Sequence, residues 1–539
     1  MPEQVAAHKE TEPCSAPVII AGAGPVGLAL ALGLAQHGVR SIVLESKKEL
    51  APHSRAIGIL ARTLEIFRAW QCLDRFLDEG SFLSKINVWV VGQPAPQATI
   101  DFTSLARLTA VPGVLFLPQD RTEAILLEHV NQTGMVEVCF EHELQSFEQD
   151  ATGVTVQVAR GGQELVELRG EYLIGCDGAR STVRTQLGWP LEGKTYPSRM
   201  LLADVRLTDE RDRLPSPRIA PQPRGVLAAI QYKPQFWRII SSMTPEESEV
   251  EAVSETKIDE RVARLFGPGS YERVWASVFH IHCRTSPHFR QGRVLLAGDA
   301  AHINSPAGGQ GMNSGIQDAH NLAWKLARTL RGGNAEALLA SYEQERRAVV
   351  LQSVDRFTDL LTRLMLMPWP YVRGALLRLV RFAIARPAVM SQVATRAMML
   401  DVHYETSALI CGTGRWRGAR APDGELIDGA GHKLRLLDLV HPQAALLLFD
   451  DGHLPDWSLE QVASLVSEVP ELKVVRLAPH HAPVQPGALR DATGQLWKTW
   501  EATGDLAALI RPDGHVGWTA RRPTPESLRA GVKQAVGMF

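Results

Sequence analysis

The stretch APVIIAGAGPVGLALALGLAQHGVRSIVLES, Ala16 to Ser46, decides the fold class. It reads as an apolar strand, a glycine turn, a helix and a second strand, a complete βαβ unit of an α/β protein. Gly22 permits the tight turn, Gly24 lets the backbone approach a pyrophosphate, and Gly27 lets helix and strand pack closely, with Ala23, Pro25 and Val26 completing the loop. Leu28, Leu30, Leu32 and Leu34 continue an apolar helix. Glu45 ends the second strand. A carboxylate there can accept both hydroxyls of an adenosine ribose and repels a 2′-phosphate, so the expected nucleotide is FAD or NAD rather than NADP.

A second glycine-rich segment, RVLLAGDAAHINSPAGGQGMNSGIQDAHNLAWKL, Arg293 to Leu326, places an acidic residue, a proline and a glycine turn before one helix. RVLLAGD reads as a short strand carrying Asp299 at its end. Ile316, Ala319, Leu322, Ala323 and Leu326 then share one helical face. Gly308, Gly309 and Gly311 allow close backbone approach, and Asn313 and Ser314 are expected as cap residues. Unpaired N–H groups at such a start favour an anion, and the N1–C2=O edge of a reduced flavin is one. An ordinary capped helix reads the same residues, so a further motif has to decide. That motif is EYLIGCDGARSTVR, Glu171 to Arg184, a short strand ending in Asp177-Gly178 ahead of a basic helix start.

Bulk properties narrow the partners. The 539 residues exceed one ordinary core and predict two to four domains. Lys+Arg 57 against Asp+Glu 59 gives a net charge of −2, which offers nucleic acid or an anionic membrane no global attraction. The six cysteines lack CxxC spacing, which argues against a disulfide framework, a zinc ribbon and a dithiol site and fits a reducing cytoplasm. Residues 1–15 are polar and read as a disordered leader without the apolar core of a signal peptide. Leu360 to Leu400 is apolar but interrupted by arginines and prolines, so it predicts amphipathic helices and no stable membrane insertion. His280, His282, Cys283, His288 and His302 form no second paired cluster, so no metal site is expected.

GAGPVG, CDGARSTVR and AGDAAH, in that order and far apart, resemble the FAD-dependent aromatic hydroxylases, the single-component flavoprotein monooxygenases. The resemblance implies that the first motif holds the FAD adenosine, that Asp299 binds a ribityl hydroxyl, and that Met312 and Asn313 offer backbone N–H groups to the flavin ring. It sets Pro306 beside the reactive flavin edge and gives Asp177 to FAD and the passing nicotinamide cofactor. Arg55 matches an arginine near the FAD phosphates or flavin. Gln119 and Arg121 match the start of a helix over the cofactor, where Arg121 reads equally as a solvated charge.

The implied architecture is a Rossmann-like FAD-binding domain, residues 16–195 and 290–355, interrupted by an antiparallel-sheet substrate domain, 196–289. A helical segment, 356–414, and a thioredoxin-like C-terminal domain, 415–539, without CxxC and expected to be redox-inert, complete it. Tyr232, Phe236 and His280 are the candidate substrate residues, and Trp237, Phe279 and His282 are further wall candidates. The implied reaction uses FAD, NADPH or NADH as transient reductant, and O₂ to hydroxylate a phenolic or similar electron-rich ring. Baeyer–Villiger oxygenation or epoxidation of a polycyclic substrate, an idle FAD protein sequestering a small molecule, and a plain NAD-dependent dehydrogenase are the alternatives. A homodimer is compatible with this reading.

Overall fold

The structure is a computed structural model that describes residues 16–52, 56–222, 225–305, 308–351, 359–360, 362–363, 376, 379, 386–452, 456–469, 471–482 and 486–539. The expected leader, most of the expected helical segment before Pro387, and both Arg55 and Pro306 lie outside them. Within that segment Pro387–Ala397 is a helix, begun by a proline whose missing N–H costs nothing at a helix start.

The chain is α/β. Its first sheet has six strands in the order Arg290–Gln291, Val294–Leu296, Tyr172–Gly175, Val18–Ala21, Ser41–Glu45, Val136–Phe140. All neighbours are parallel except the Arg290–Gln291 edge. The strands that carry the three motifs, Val18–Ala21, Tyr172–Gly175 and Val294–Leu296, are therefore adjacent and point the same way. Their carboxyl-end turns open on one rim, where nucleotides bind in doubly wound sheets.

Helix Pro25–Gln36 has no polar face, and every residue from Val26 to Ala35 is buried. It is covered by more than the sheet: a Cβ on Gly33 would lie 3.0 Å from Ala323 and 3.3 Å from Trp70. A helix apolar all round is the form such a sandwiched element takes.

A second, eight-stranded sheet runs His302–Ile303, Glu272–Thr285, Glu192–Arg206, Phe236–Ser242, Leu227–Lys233, Arg218–Ile219, Lys85–Val90, Ala98–Asp101. The period-two alternation of the sequence is realised in the antiparallel ladder of Glu192–Arg206 with Phe236–Ser242 and Glu272–Thr285. The sheet is wider than residues 196–289, because Lys85–Val90 and Ala98–Asp101 form one edge and His302–Ile303 the other. On one face Leu201, Ala203, Val205, Trp237 and Ile239 are buried; Ala203, Val205, Trp237 and Ile239 join a core with Ile258, Val262, Leu265 and Phe266 of helix Glu255–Phe266. Trp237 meets Phe266 edge-on at 5.0 Å and donates its Nε1–H to Asp212 at 2.9 Å, so it is a core residue and no part of a substrate wall.

The C-terminal residues form a third sheet around Ala444–Phe449, a fully buried strand flanked by parallel Leu472–Ala478 and antiparallel Leu506–Ile510. Its two faces carry separate cores, Leu447, Phe449 and Trp500 on one, Leu446, Leu448, Trp518 and Val532 on the other. Each such buried aliphatic or aromatic side chain contributes roughly 1.5–3 kcal/mol. The sequence has no cysteine after Cys411.

Candidate functional site

The glycines of the first motif explain how the three turns close on one another. Gly22 has φ +103°, and a Cβ there would sit 2.6 Å from the Cys176 carbonyl oxygen, so the first turn rests on the backbone of the second. A Cβ on Gly27 would lie 1.9 Å from the Gly22 oxygen. The close approach it permits is between helix and glycine turn, rather than between helix and strand as expected. Val26 then wedges into the third segment: a Cβ on Gly298 would be 2.7 Å from its Cγ2, and one on Gly315 2.5 Å. Arg184 completes the closure, donating from its buried guanidinium to Ala300 O at 3.0 Å and Ala179 O at 2.9 Å. Four glycines and one arginine thus hold three distant motifs in one cleft.

Around this cleft stand the acidic candidates. Glu45 accepts the Ala23 N–H at 3.0 Å with Oε2 and the Lys47 N–H at 3.1 Å with Oε1, which holds its carboxylate over the glycine loop. Asp177 accepts the Val183 N–H at 3.1 Å with Oδ2, capping helix Thr182–Gln186 together with Ser181. Its Oδ1 is buried without a partner among the described residues. Burial pushes the Asp177 carboxyl up, against hydrogen bonds from Ser181 and the Val183 N–H that pull it down. Asp299 lies in the 3₁₀ turn Gly298–Ala300 and is exposed, while Gly298 and Ala300 beside it are buried.

Helix Gly311–Leu330 begins after Gln310, with no side chain capping it. Asn313 and Ser314 are therefore inside the first turn, not at the cap as expected. Asn313 instead staples the helix start to a neighbouring strand: Oδ1 accepts the Leu60 N–H at 2.9 Å, and Nδ2 donates to Gly58 O at 2.9 Å and Gly309 O at 2.7 Å. Gly311, Met312 and Asn313 present N–H groups that no carbonyl within the helix can reach.

These residues fit FAD. The unpaired Asp177 Oδ1 is an acceptor awaiting a donor, and an uncompensated buried acceptor costs about 1–3 kcal/mol. A Cβ on Gly24 or Gly311 would meet nothing within 4 Å, so space that the protein leaves open borders both helix starts. Two helix N-termini and hydroxyl-accepting carboxylates match a pyrophosphate, a ribose and a ribityl chain.

Other expected residues fall differently. Gln119 opens helix Gln119–Gln132 and donates to Glu123 at 2.8 Å. Arg121 is engaged by Glu79 at 2.9 and 3.1 Å on the surface, the solvated reading. Tyr232 and Phe236 come together, ring centroids 6.2 Å apart, and Tyr232 is buried in an apolar cluster with Leu60, Phe102, Phe116, Met398 and Met399. Burial and Asp204 push its phenol well up. His280 does not join them. It pairs with Arg199 in a register that puts Met200, Leu202 and Asp204 on the other face, and it is exposed. His282 stacks on it at 6.1 Å, so both histidines leave the substrate wall, whereas Phe279 opposite Met200 stays on the Tyr232 face. No group of three or more metal-ligating side chains occurs among the described residues.

The structure also shows what the motifs hide. Asp318, fully buried, accepts the Gly298 N–H at 3.1 Å, His302 Nε2 at 2.7 Å and Arg346 Nε at 2.7 Å. Burial alone would raise its pKa, but His302 and Arg346 outweigh burial and hold the carboxyl below the usual range. No spacing in the sequence singles out Asp318, because its arginine lies on a different helix.

Comparison with known proteins agrees with this geometry. Residues 15–357 match the FAD binding domain family, and residues 414–538 match the family described as aromatic-ring hydroxylase, C-terminal. The chain is 33% identical to the 12-dehydrotetracycline 5-monooxygenase/anhydrotetracycline 6-monooxygenase of Streptomyces rimosus, covering 96% of this chain and 97% of that one. It is 33% identical to the rifampicin monooxygenase of Streptomyces venezuelae over 93% of this chain and 95% of that protein. The crystal structure of the flavin-dependent monooxygenase PieE in complex with FAD and substrate superposes with a TM-score of 0.82 at 25% identity, covering 98% of this chain and 100% of that one. With its rim of three converging motifs and these relatives along its length, the chain belongs to the FAD-dependent aromatic-ring hydroxylases, and it is a flavin-dependent monooxygenase.

Proposed function

We propose that the protein hydroxylates a phenolic or related electron-rich aromatic compound, using NADPH or NADH and O₂. The observation that carries this is the apolar cluster of Leu60, Phe102, Phe116 and Tyr232, tied to the flavin-side helix because Asn313 bonds the Leu60 N–H. An aromatic ring bound against it would stand between the eight-stranded sheet and the start of helix Gly311–Leu330. Bound FAD would accept hydride and activate oxygen, chemistry that no side chain supplies.

The chain's residues hold and orient. Glu45 takes the adenosine ribose, Gly22, Gly24 and Gly27 with Ala23, Pro25 and Val26 form the pyrophosphate turn, Asp299 takes a ribityl hydroxyl, and the Gly311, Met312 and Asn313 N–H groups face the anionic edge of the ring. Asp177 serves FAD or the nicotinamide through its unpaired oxygen, and Gln119 borders the cofactor. Pro306 at the reacting edge and Arg55 at the phosphates or flavin complete the proposed set. Apolar walls exclude water, which protects the coupling of reductant use to hydroxylation. The C-terminal unit, thioredoxin-like in this proposal, performs no dithiol chemistry, and a reducing cytoplasm suits the scattered cysteines, which lack CxxC spacing.

The relatives named as monooxygenases of 12-dehydrotetracycline and anhydrotetracycline and of rifampicin support fused-ring substrates alongside single phenols. The test is a panel of one-ring and fused-ring phenols scored for stimulated NADH and NADPH oxidation, with product oxygenation measured beside peroxide release. Hydroxylated product from any member supports the proposal. Tight ligand binding with no oxygen uptake across the panel defeats it in favour of a sequestering protein, and a lactone or epoxide product defeats it in favour of the other oxygenations.

A further inference from the structure

The C-terminal sheet is joined to the flavin side by a buried ionic network that the function above does not use. Glu345, on helix Ala335–Val349, accepts from Lys325 Nζ at 2.7 Å, Arg511 at 2.7 and 2.9 Å, Asn321 Nδ2 at 2.8 Å and Ser407 Oγ at 2.6 Å. Arg511 also pairs with Asp513, and Asp513 accepts from the same Asn321 amide at 2.9 Å. Beside Glu345 in the chain, Arg346 donates to Asp318 at 2.7 Å, to Ser314 O at 3.2 Å and to the Tyr404 hydroxyl at 3.4 Å. Asp318 in turn holds Gly298, the residue before Asp299. Side chains of Asp318, Lys325, Glu345, Arg346 and Arg511 are all 0% exposed.

Such a network is a poor way to gain stability, since apolar side chains of similar volume usually do as well or better in the same space. What it supplies is a fixed register between elements that share no sheet. Its two ends are the Arg511–His515 turn of the C-terminal unit and the Gly298–Ala300 turn of the flavin side. Two routes join them, one through Glu345 and Arg346 on adjacent positions of one helix, the other through Asn321 and the Tyr404 hydroxyl. Tyr404 is itself seated on the His515 ring at 4.2 Å.

We propose that Arg511 is a positioning residue for the flavin site, so that docking of the C-terminal unit sets the Gly298–Asp299 turn and the start of helix Gly311–Leu330. The proposal rests on FAD binding at that turn. Its effect passes through Glu345, Arg346 and Asp318 and needs no contact between Arg511 and the cofactor.

The test uses the full-length protein freed of FAD, titrated with FAD by flavin-fluorescence quenching, with the midpoint potential of the reconstituted flavin as second readout. Arg511→Met is expected to weaken FAD binding by about 3- to 30-fold and shift the potential, with Arg511→Lys restoring most of both. Tyr404→Phe, which keeps the ring on His515 and removes only the bridging hydroxyl, is expected to act in the same direction more weakly. It decides the matter with Arg511→Lys if Arg511→Met does not fold. Lowered thermal stability with unchanged FAD affinity and potential in these variants overturns the proposal and leaves the network a structural clamp. Asp299→Ala separates the premises: if it too leaves FAD affinity unchanged, the placement of FAD at this turn fails first.

Discussion

Gly24→Ala separates a glycine needed by the fold from one needed by the ligand. Gly24 has φ −71° and ψ −179°, a conformation open to any residue, and an added Cβ meets nothing within 4 Å. The cofactor-free variant should be as stable as the parent, or more so by about 0.4–1 kcal/mol through a less flexible unfolded chain. Gly27→Ala contrasts with it, because its Cβ would stand 1.9 Å from the Gly22 carbonyl oxygen, which no rotamer relieves. Its cost should reach roughly 3 kcal/mol or more. If pyrophosphate lies against Gly24, the alanine methyl occupies ligand space, and overpacking of about 1–3 kcal/mol corresponds to roughly 5- to 150-fold weaker FAD binding. Urea unfolding of the cofactor-free proteins gives the first quantity and fluorescence titration with FAD the second. Parental FAD affinity in Gly24→Ala would refute the placement of the pyrophosphate at this loop.

Asp177→Asn should leave stability nearly intact, because Asn keeps an oxygen for the Val183 N–H, yet weaken ligand binding by roughly 10- to 150-fold through loss of a charge-assisted bond of about 1.5–3 kcal/mol; equal binding of FAD and nicotinamide to both forms would leave the buried Oδ1 unexplained. Asp299→Ala and Glu45→Ala should each weaken FAD retention, measured by titration, and Glu45→Ala should also loosen the loop, since Ala23 and Lys47 lose their acceptor. On the acid side, burial first and His441 second hold His37 and His320 well below 6.5, and burial holds His441 at about 4. Their rings meet at 5.2 and 5.7 Å, between the first sheet's helices and the C-terminal unit. The unfolded chain binds protons at these sites first, so stability should fall as pH drops from 6.5 toward 4, by about 3 kcal/mol for His441 alone; stability that rises over this window in pH-dependent unfolding would mean the histidines are charged in the folded protein.

The cofactor half of the molecule was legible because its determinants are local. A glycine turn between a strand and a helix announces itself within thirty residues, and Gly22 makes the tight turn its position implied, whereas Gly27 packs the helix on that turn and not on the strand. The sheet alternation was legible too, but not its faces, since the side on which His280 falls depends on register with Arg199 and not on its own spacing. Trp237 and Tyr232 are five residues apart in one hairpin and belong to opposite cores. Least visible was the ionic network, whose members Asp318, Glu345 and Arg511 read singly as ordinary charges on helix or turn. Only the fold shows that burial forces them to pair.

The adjacency of the three motif strands also sets an order of events during synthesis. Val18 pairs with Tyr172 and Leu173 with Val294, contacts separated by 154 and 121 residues. At about 5–20 residues per second, the Ala16–Ser46 unit leaves the ribosome roughly 12–50 s before the turn carrying Asp299. Until then its apolar helix has neither its full sheet nor Ala323 to cover it. The nascent chain therefore carries this apolar helix incompletely covered over that interval, and the cofactor cleft closes only once Gly298 and Gly315 have been made to pack on Val26.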